Sequence, residues 1–220
     1  MTITLRRLTP WAILTVSVGA LVLGCSGRWS DPWLWSYLAV LSGTSFYAIA
    51  SIDDSVARER FSPPTQGADR RWLQIIRIVA IAHLILAALD TGRWHLTHVP
   101  APVRAAGLLG MLASFLLVFR ALIVNRFFSA VVRVQSERGH HVVDRGPYAH
   151  IRHPGYLGMI AGIPLGALVL GSWVGFAVAA IYSALIFRRV LFEDAFLRVH
   201  LEGYASYAQR VRYRLVPGLW

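Results

Sequence analysis

Residues 145–158 read Arg145-Gly-Pro-Tyr-Ala-His-Ile-Arg-His-Pro-Gly-Tyr-Leu-Gly158, and from Pro154 to Phe187 the chain then runs 34 residues without a charge. That run is too long for one membrane helix, which needs about 20 apolar residues, and slightly short for two full ones. Gly171-Ser172 near its middle supplies a turn, so the pattern predicts a hairpin of two short helices. Gly158, Gly162 and Gly166 recur every four residues, as do Gly171 and Gly175, which predicts that the hairpin helices pack closely through small faces. The run ends in Arg188-Arg189-Val-Leu-Phe-Glu193-Asp194. Two charged clusters therefore flank one apolar hairpin and are expected to meet on one side of a bilayer.

Composition places the rest of the chain in the same setting. Of 220 residues, 56% are hydrophobic and 15% charged, against about 45–50% and about 25% in soluble domains. Uncharged runs at 8–27 and 32–52, and apolar runs at about 72–89 and 105–124, each reach the length of a span. The polar stretch 53–71, with Pro63 and Pro64, and the stretch His95 to Arg104 read as loops. The expected fold is all-α: a multi-pass integral membrane protein with five to six transmembrane helices, residues 1–124 forming the N-terminal helices and 125–220 the functional core. Arg6-Arg7 followed by an apolar run to Cys25 also has the look of a lipoprotein signal, but the further spans favour a first transmembrane helix.

The formal net charge is +11 and all 22 basic residues are arginines. In a membrane protein such a balance points to anchoring on the cytoplasmic side, and no nucleic-acid partner is expected. With the N-terminus in the cytoplasm, Arg6, Arg7, Arg58, Arg60, Arg70, Arg71, the 126–152 cluster and the tail fall inside, leaving Arg28, Arg93 and Arg104 outside. Both charged clusters then face the cytoplasm, from an inner or plasma membrane. Cys25 is the single cysteine, so no internal disulfide can form. A metal site would need histidines and carboxylates; His150 and His153, with His140 and His141 nearby, lack companions at ligand spacing, and no metal is expected. His83, alone inside the third span, reads as a packed polar residue.

The first cluster has a structural reading and a chemical one. Gly146-Pro147 makes a turn, Pro154 suits the first turn of a helix after a non-helical His153, and Gly155 and Gly158 leave room at the backbone. The helix beginning there would present free amides and a positive dipole to an anion, reinforced by Arg152 and His153. Past Glu193, Leu197, Leu201, Tyr204, Ala208 and Val211 oppose Arg198, Glu202, Ser206 and Arg210. That spacing predicts an amphipathic helix at the cytoplasmic interface.

Gly-Pro-Tyr, Arg-His-Pro-x-Tyr-x-Gly, the glycine-rich hairpin, Arg-x-x-x-Glu-Asp-x-x-Leu, the pair Tyr204 and Tyr207, Val211 and Pro217 together resemble the isoprenylcysteine carboxyl methyltransferase family of membrane enzymes, over about residues 125–220 beginning at Asn125-Arg-Phe-Phe and Val134-Gln135. The resemblance implies methyl transfer from S-adenosyl-L-methionine on a helical membrane scaffold. It implies that Gln135, His140, His141, Val142, Val143, Tyr148, His153, Pro154, Gly155, Tyr156 and Glu193 hold the cofactor. Arg189 matches the position that contacts the substrate, a lipophilic small molecule or prenylated acceptor. Four residues separate Arg189 from Glu193, about one helical turn, so the two share a face. The chain departs from the family at Asp194, where a second glutamate is usual, and at Leu201, where a glycine usually precedes the tyrosine pair.

A sulfonium donor is already activated, so the protein's task is to hold donor and acceptor in line and dry. A carboxylate acceptor with a pKa of about 4 is ionised at neutral pH and needs no general base. An amine or thiol would need one, for which His153 or Asp194 is the candidate. The competing readings are a phospholipid or other lipid N-methyltransferase and a transporter; inverted repeats would support the latter, and the sequence holds no internal repeat.

Overall fold

A computed structural model describes residues 5–61 and 69–220. Eight α-helices run through them: α1 Leu5–Ser26, α2 Pro32–Ser51, α3 Asp54–Phe61, α4 Arg70–Leu89, α5 Ala101–Val124, α6 Pro154–Leu170, α7 Trp173–His200 and α8 Tyr204–Arg210. A π-helical turn, Asp90–Trp94, extends α4. Four stretches are long and apolar enough to cross a membrane, namely Leu8–Ser26, Arg71–Trp94, Ala101–Val124 and Trp173–His200, and Pro154–Leu170 is a shorter apolar helix. Their outward faces are apolar: Ile13, Ile78, Ile81, Leu109 and Ile181 are all more than half exposed. Such surfaces are stable against lipid and not against water. The protein is an all-α, polytopic membrane protein.

Helix α2 is as long as its neighbours but carries Ser36, Thr44 and Ser45, whose hydroxyls donate back to the carbonyls of Pro32, Val40 and Leu41 at 2.6–2.8 Å. This is how a polar side chain is carried on an apolar helix. Pro63 and Pro64 lie outside the described residues, as do the side chains of Arg6, Arg7, Arg58, Arg60 and Arg70 that entered the charge count.

Three expected loops or helices come out differently. The stretch 53–71 is not all loop, because α3 forms within it, its first turn closed by Val56 and Ala57 N–H donating to the Asp53 carbonyl. Its charged sequence gave no apolar period to betray it. Helix α5 starts directly after Pro100, so Arg104 belongs to its first turn and not to a loop; there it is buried, with Nε donating to the Val169 carbonyl at 3.0 Å. The amphipathic tail is not one helix. It breaks between His200 and Tyr204, where Gly203 takes φ +78°, a region that favours glycine, and Leu201, Tyr204, Tyr207 and Ala208 fold inward onto Val134 and Val142.

The hairpin turns at Gly171-Ser172 as expected, with Gly171 at φ +92° and Ser172 capping α7 by accepting from Gly175 N–H at 2.8 Å. Its second arm is not short: α7 spans 28 residues and carries both Arg189 and Glu193 into the polar end. The glycines do not join the two arms. A Cβ at Gly158 would lie 2.5 Å from the Ser114 carbonyl oxygen and one at Gly162 2.9 Å from Phe115, both on α5, while Gly175 meets Ala87 on α4. The small faces seat the hairpin against the helices before it. Between the arms, Pro164 cannot donate to the Ile160 carbonyl one turn back, and Ser183 Oγ on α7 donates to that carbonyl at 2.8 Å. This restores a bond that lipid could not supply.

Candidate functional site

Helix α7 carries one stripe, Tyr182, Ile186, Arg189, Glu193 and Leu197, at steps of three and four residues, and all five line a single cavity of about 380 Å³. Helix α4 faces it with Leu73, Ile76, Arg77 and Ala80, α6 adds Gly155, Tyr156 and Met159, and the segments 125–133 and 140–143 with Leu201, Tyr204 and Tyr207 close the polar end. The eleven residue steps from Tyr182 to Glu193 rise about 16 Å along the helix. Polarity changes over that length, from Tyr182, Ile186, Ile76 and Met159 at one end to Glu193 with His140, His141, Tyr148 and His153 at the other. Arg189 stands between them.

Glu193 accepts from Tyr156 Oη at 2.5 Å. The Arg189 guanidinium lies 5.8 Å from the centre of the Tyr156 ring. Its Nη2 donates to the Ala130 carbonyl at 2.6 Å and lies 2.8 Å from Asp69 Oδ2, while its Nε, also buried, has no hydrogen-bond partner among the described residues. Arg188, next to it, points away and sits 3.9 Å over the Trp72 ring, the anchoring role expected of an interfacial arginine.

The wall at 125–141 is built on Gln135, which is fully buried and does not itself line the cavity. Its Nε2 donates to the Phe127 carbonyl at 2.7 Å, its Oε1 accepts from Arg138, and its backbone N–H donates to His140 Nδ1 at 3.2 Å. His140 is stacked on Phe127 at 4.4 Å. Burial, with the positive charge of His141, Arg133 and Arg138 around it, lowers its pKa to about 4, so the ring is neutral at pH 7. Tyr148 is buried, and burial raises its phenol well above the usual tyrosine range. Pro154 opens α6 behind the cavity, and Gly155 lets the Phe128 ring approach, since a Cβ there would come within 2.5 Å of it. Of the residues singled out in the sequence, His140, His141, Val142, Val143, Tyr148, His153, Gly155, Tyr156, Arg189 and Glu193 come together on the cavity wall.

Asp194 looks the other way. It is 1% exposed and accepts from Arg152 Nε at 2.7 Å, Tyr204 Oη at 3.0 Å, and Arg198 and Arg214 Nε at 3.1 Å, with His153 Nε2 at 3.3 Å. Arg152 also donates to the carbonyls of Val211 and Arg212, and the backbone N–H groups of Arg152 and His153 donate to Tyr213 and Arg214. The shorter acid thus ties hairpin to tail and is spent on that task, outside the cavity.

Two acids from the N-terminal half carry no site signal in the sequence. Glu59 on α3 accepts from Arg133 Nη2 at 2.8 Å and Ser129 Oγ at 2.7 Å, and Asp69 Oδ1 accepts from Val132 N–H at 2.9 Å. An acid just before an apolar span is a helix-start signal, but nothing in the sequence pairs Asp69 with a residue 120 positions on.

Part of the chain has a counterpart in a known family. Residues 106–199 match the isoprenylcysteine carboxyl methyltransferase (ICMT) family. The ICMT match takes in most of α5, the cavity-lining segments between residues 125 and 143, the hairpin and the stripe to Leu197; it leaves out the α4 side of the cavity and stops before the tyrosine pair. It points to a membrane methyltransferase. No curated protein matches the chain. Among the described residues, no group of three or more His, Cys, Asp or Glu side chains is placed to hold a metal ion.

Proposed function

We propose that the cavity transfers a methyl group from S-adenosyl-L-methionine to the carboxylate of a lipophilic acceptor, from the cytoplasmic face of the membrane. The observation that carries this reading is the α7 stripe, on which an apolar section, a buried arginine and a carboxylate succeed one another along one cavity. The cavity has the size of a small-molecule site. Glu193 fits a cationic donor, and neutral His140 stacked on Phe127 offers that donor a flat, uncharged wall. Glu193, His153, Tyr156 and the 140–143 segment would hold it.

When bound, S-adenosyl-L-methionine supplies a methyl already activated on a sulfonium. Arg189 orients the acceptor's carboxylate through its unspent Nε, whose planar guanidinium suits a carboxylate better than an ammonium does. Leu73, Ile76, Ala80, Met159 and Ile186 receive the lipophilic remainder and keep water from the line of transfer. Asp194 is saturated by arginines and His153 Nε2 faces Asp194, so neither stands free as a base; a carboxylate acceptor requires none. Arg133 and Arg152 line the cavity's polar end, Arg126 and Arg138 lie over Phe127 of its wall and Arg214 meets Asp194 beside it, which supports its cytoplasmic placement.

The test is purified protein in nanodiscs with methyl-labelled donor, offered lipophilic carboxylates and, separately, phospholipids with amine headgroups. Label in a base-labile ester is the expected result. Label in the amine headgroup alone would overturn the carboxylate and replace it with lipid N-methylation.

A further inference from the structure

Arg189 is already in contact with a carboxylate of the protein's own. Asp69 is 2% exposed, held by Val132 N–H on Oδ1, and its Oδ2 lies 2.8 Å from Arg189 Nη2. That second contact is close but is not aligned as a hydrogen bond, for Oδ2 has no hydrogen-bond partner, whereas Arg189 Nη2 is aligned on the Ala130 carbonyl. Two other arginines that line the cavity are aligned on acids: Arg133 on Glu59 and Arg152 on Asp194. Arg189 alone of these three has a balanced charge and an unspent donor together.

We propose that Asp69 is a positioning residue for the acceptor site, an internal carboxylate that shares the Arg189 guanidinium and limits how hard it grips an acceptor's carboxylate. The inference rests on the carboxylate-acceptor reading above. An isolated guanidinium in an apolar cavity would bind an incoming carboxylate strongly and withdraw charge from the oxygen that must attack the methyl carbon. With Nη2 occupied by Asp69 and Ala130, only Nε and Nη1 remain for the acceptor, and the guanidinium's charge is partly balanced before the acceptor arrives. Asp69 sits at the N-cap position of α4, and Leu73, Ile76 and Ala80 of that helix line the apolar part of the cavity. One helix thus presents both the tail's surroundings and the counter-charge to the head.

The experiment compares binding of dodecanoate and of 1-dodecanol to the full chain in nanodiscs, for the parent and for Asp69→Asn, which keeps an acceptor for Val132 N–H and removes the charge. The expected result is that dodecanoate binds at least about tenfold tighter to Asp69→Asn while dodecanol is unchanged. A merely structural role would shift both ligands alike or neither, and either outcome overturns the proposal. If Asp69→Asn does not fold, Asp69→Ser is measured in its place, with the same result expected; failure of both to fold makes Asp69 a structural residue and overturns it too. Should the parent methylate dodecanoate while the variants bind it no better, Asp69 loses its role and the acceptor reading stands. Dodecanoate binding to none of the folded proteins removes both.

Discussion

Two aspartates, Asp90 and Asp194, are buried at 0% and 1% exposure, and each gathers donors from segments far apart in sequence. Around Asp90 the donors are neutral: the N–H groups of Leu96 and Thr97 at 2.9 and 3.0 Å, the Thr97 hydroxyl, and Ser172 Oγ at 2.5 Å. Around Asp194 three arginines, Arg152, Arg198 and Arg214, stand with Tyr204. The first hub closes two turns with short side chains, at the end of α4 and in the hairpin. The second joins long side chains on the hairpin to a tail with little helix of its own, beside a cavity. Neutral donors can rearrange around an amide, but buried arginines cannot lose their counter-charge without cost.

Removing charge at the two hubs should therefore give very different results. Asp194→Asn is expected to destabilise the protein by about 3–5 kcal/mol by leaving Arg152 uncompensated, and to raise hydrogen exchange across residues 201–220 while residues 90–97 stay protected. Asp90→Asn keeps the shape and most of the hydrogen bonds and is expected to cost only about 1–2 kcal/mol, with methyl transfer unchanged. Equal losses would erase the distinction between the hubs.

Between those two in size lies Glu193→Gln, whose neighbour on α7 is Asp194 but which faces the cavity. A charged hydrogen bond is worth roughly 1.5–3 kcal/mol, so donor affinity measured by calorimetry should fall about 10- to 150-fold with little change in melting temperature. Undiminished binding by a folded variant would remove Glu193 from the cofactor site.

The smallest effect expected is with pH. His140 has a folded pKa of about 4, below the free value of about 6.5, so between those values the unfolded chain takes up the proton first and stability falls as pH is lowered. Burial raises the Glu59 carboxyl, but the hydrogen bonds from Arg133 and Ser129 outweigh it and leave it lowered; its contribution is present above the ordinary carboxylate pKa and is lost as pH falls below it. Both act in the same direction. After correction for intrinsic exchange rates, residues 125–141 should be less protected at pH 5 than at pH 7, and protection of the Asp90 turn should not respond.

The sequence carried the helices because apolar length is a local property: the runs 8–27, 32–52, 72–89 and 105–124 and the turn at Gly171-Ser172 all reappear in the fold. It carried most of the cavity wall as well, through a cluster contiguous from Tyr148 to Tyr156 and a stripe one turn apart at Arg189 and Glu193. Partners across the chain were hidden. Small-residue spacing announces a close approach but not which helix approaches, so the glycine face of α6 meets α5 instead of its hairpin partner. The tail's period suited a helix, and Gly203 broke it. Asp69 and Glu59 sat in a stretch read as loop, because their value lies in Arg189 and Arg133, more than 70 residues away.

In the proposed site Arg189 holds the acceptor, while Arg188, on the same turn, is an anchor over Trp72. Arg189→Lys and Arg188→Lys, measured side by side for methyl transfer to a lipophilic carboxylate and for donor affinity, test this directly. Arg189→Lys keeps the charge but loses the planar fork, and turnover should fall at least about tenfold with donor affinity nearly unchanged, while Arg188→Lys does little to either. Equal, small effects of the two substitutions on turnover would make both arginines anchors and place the acceptor elsewhere.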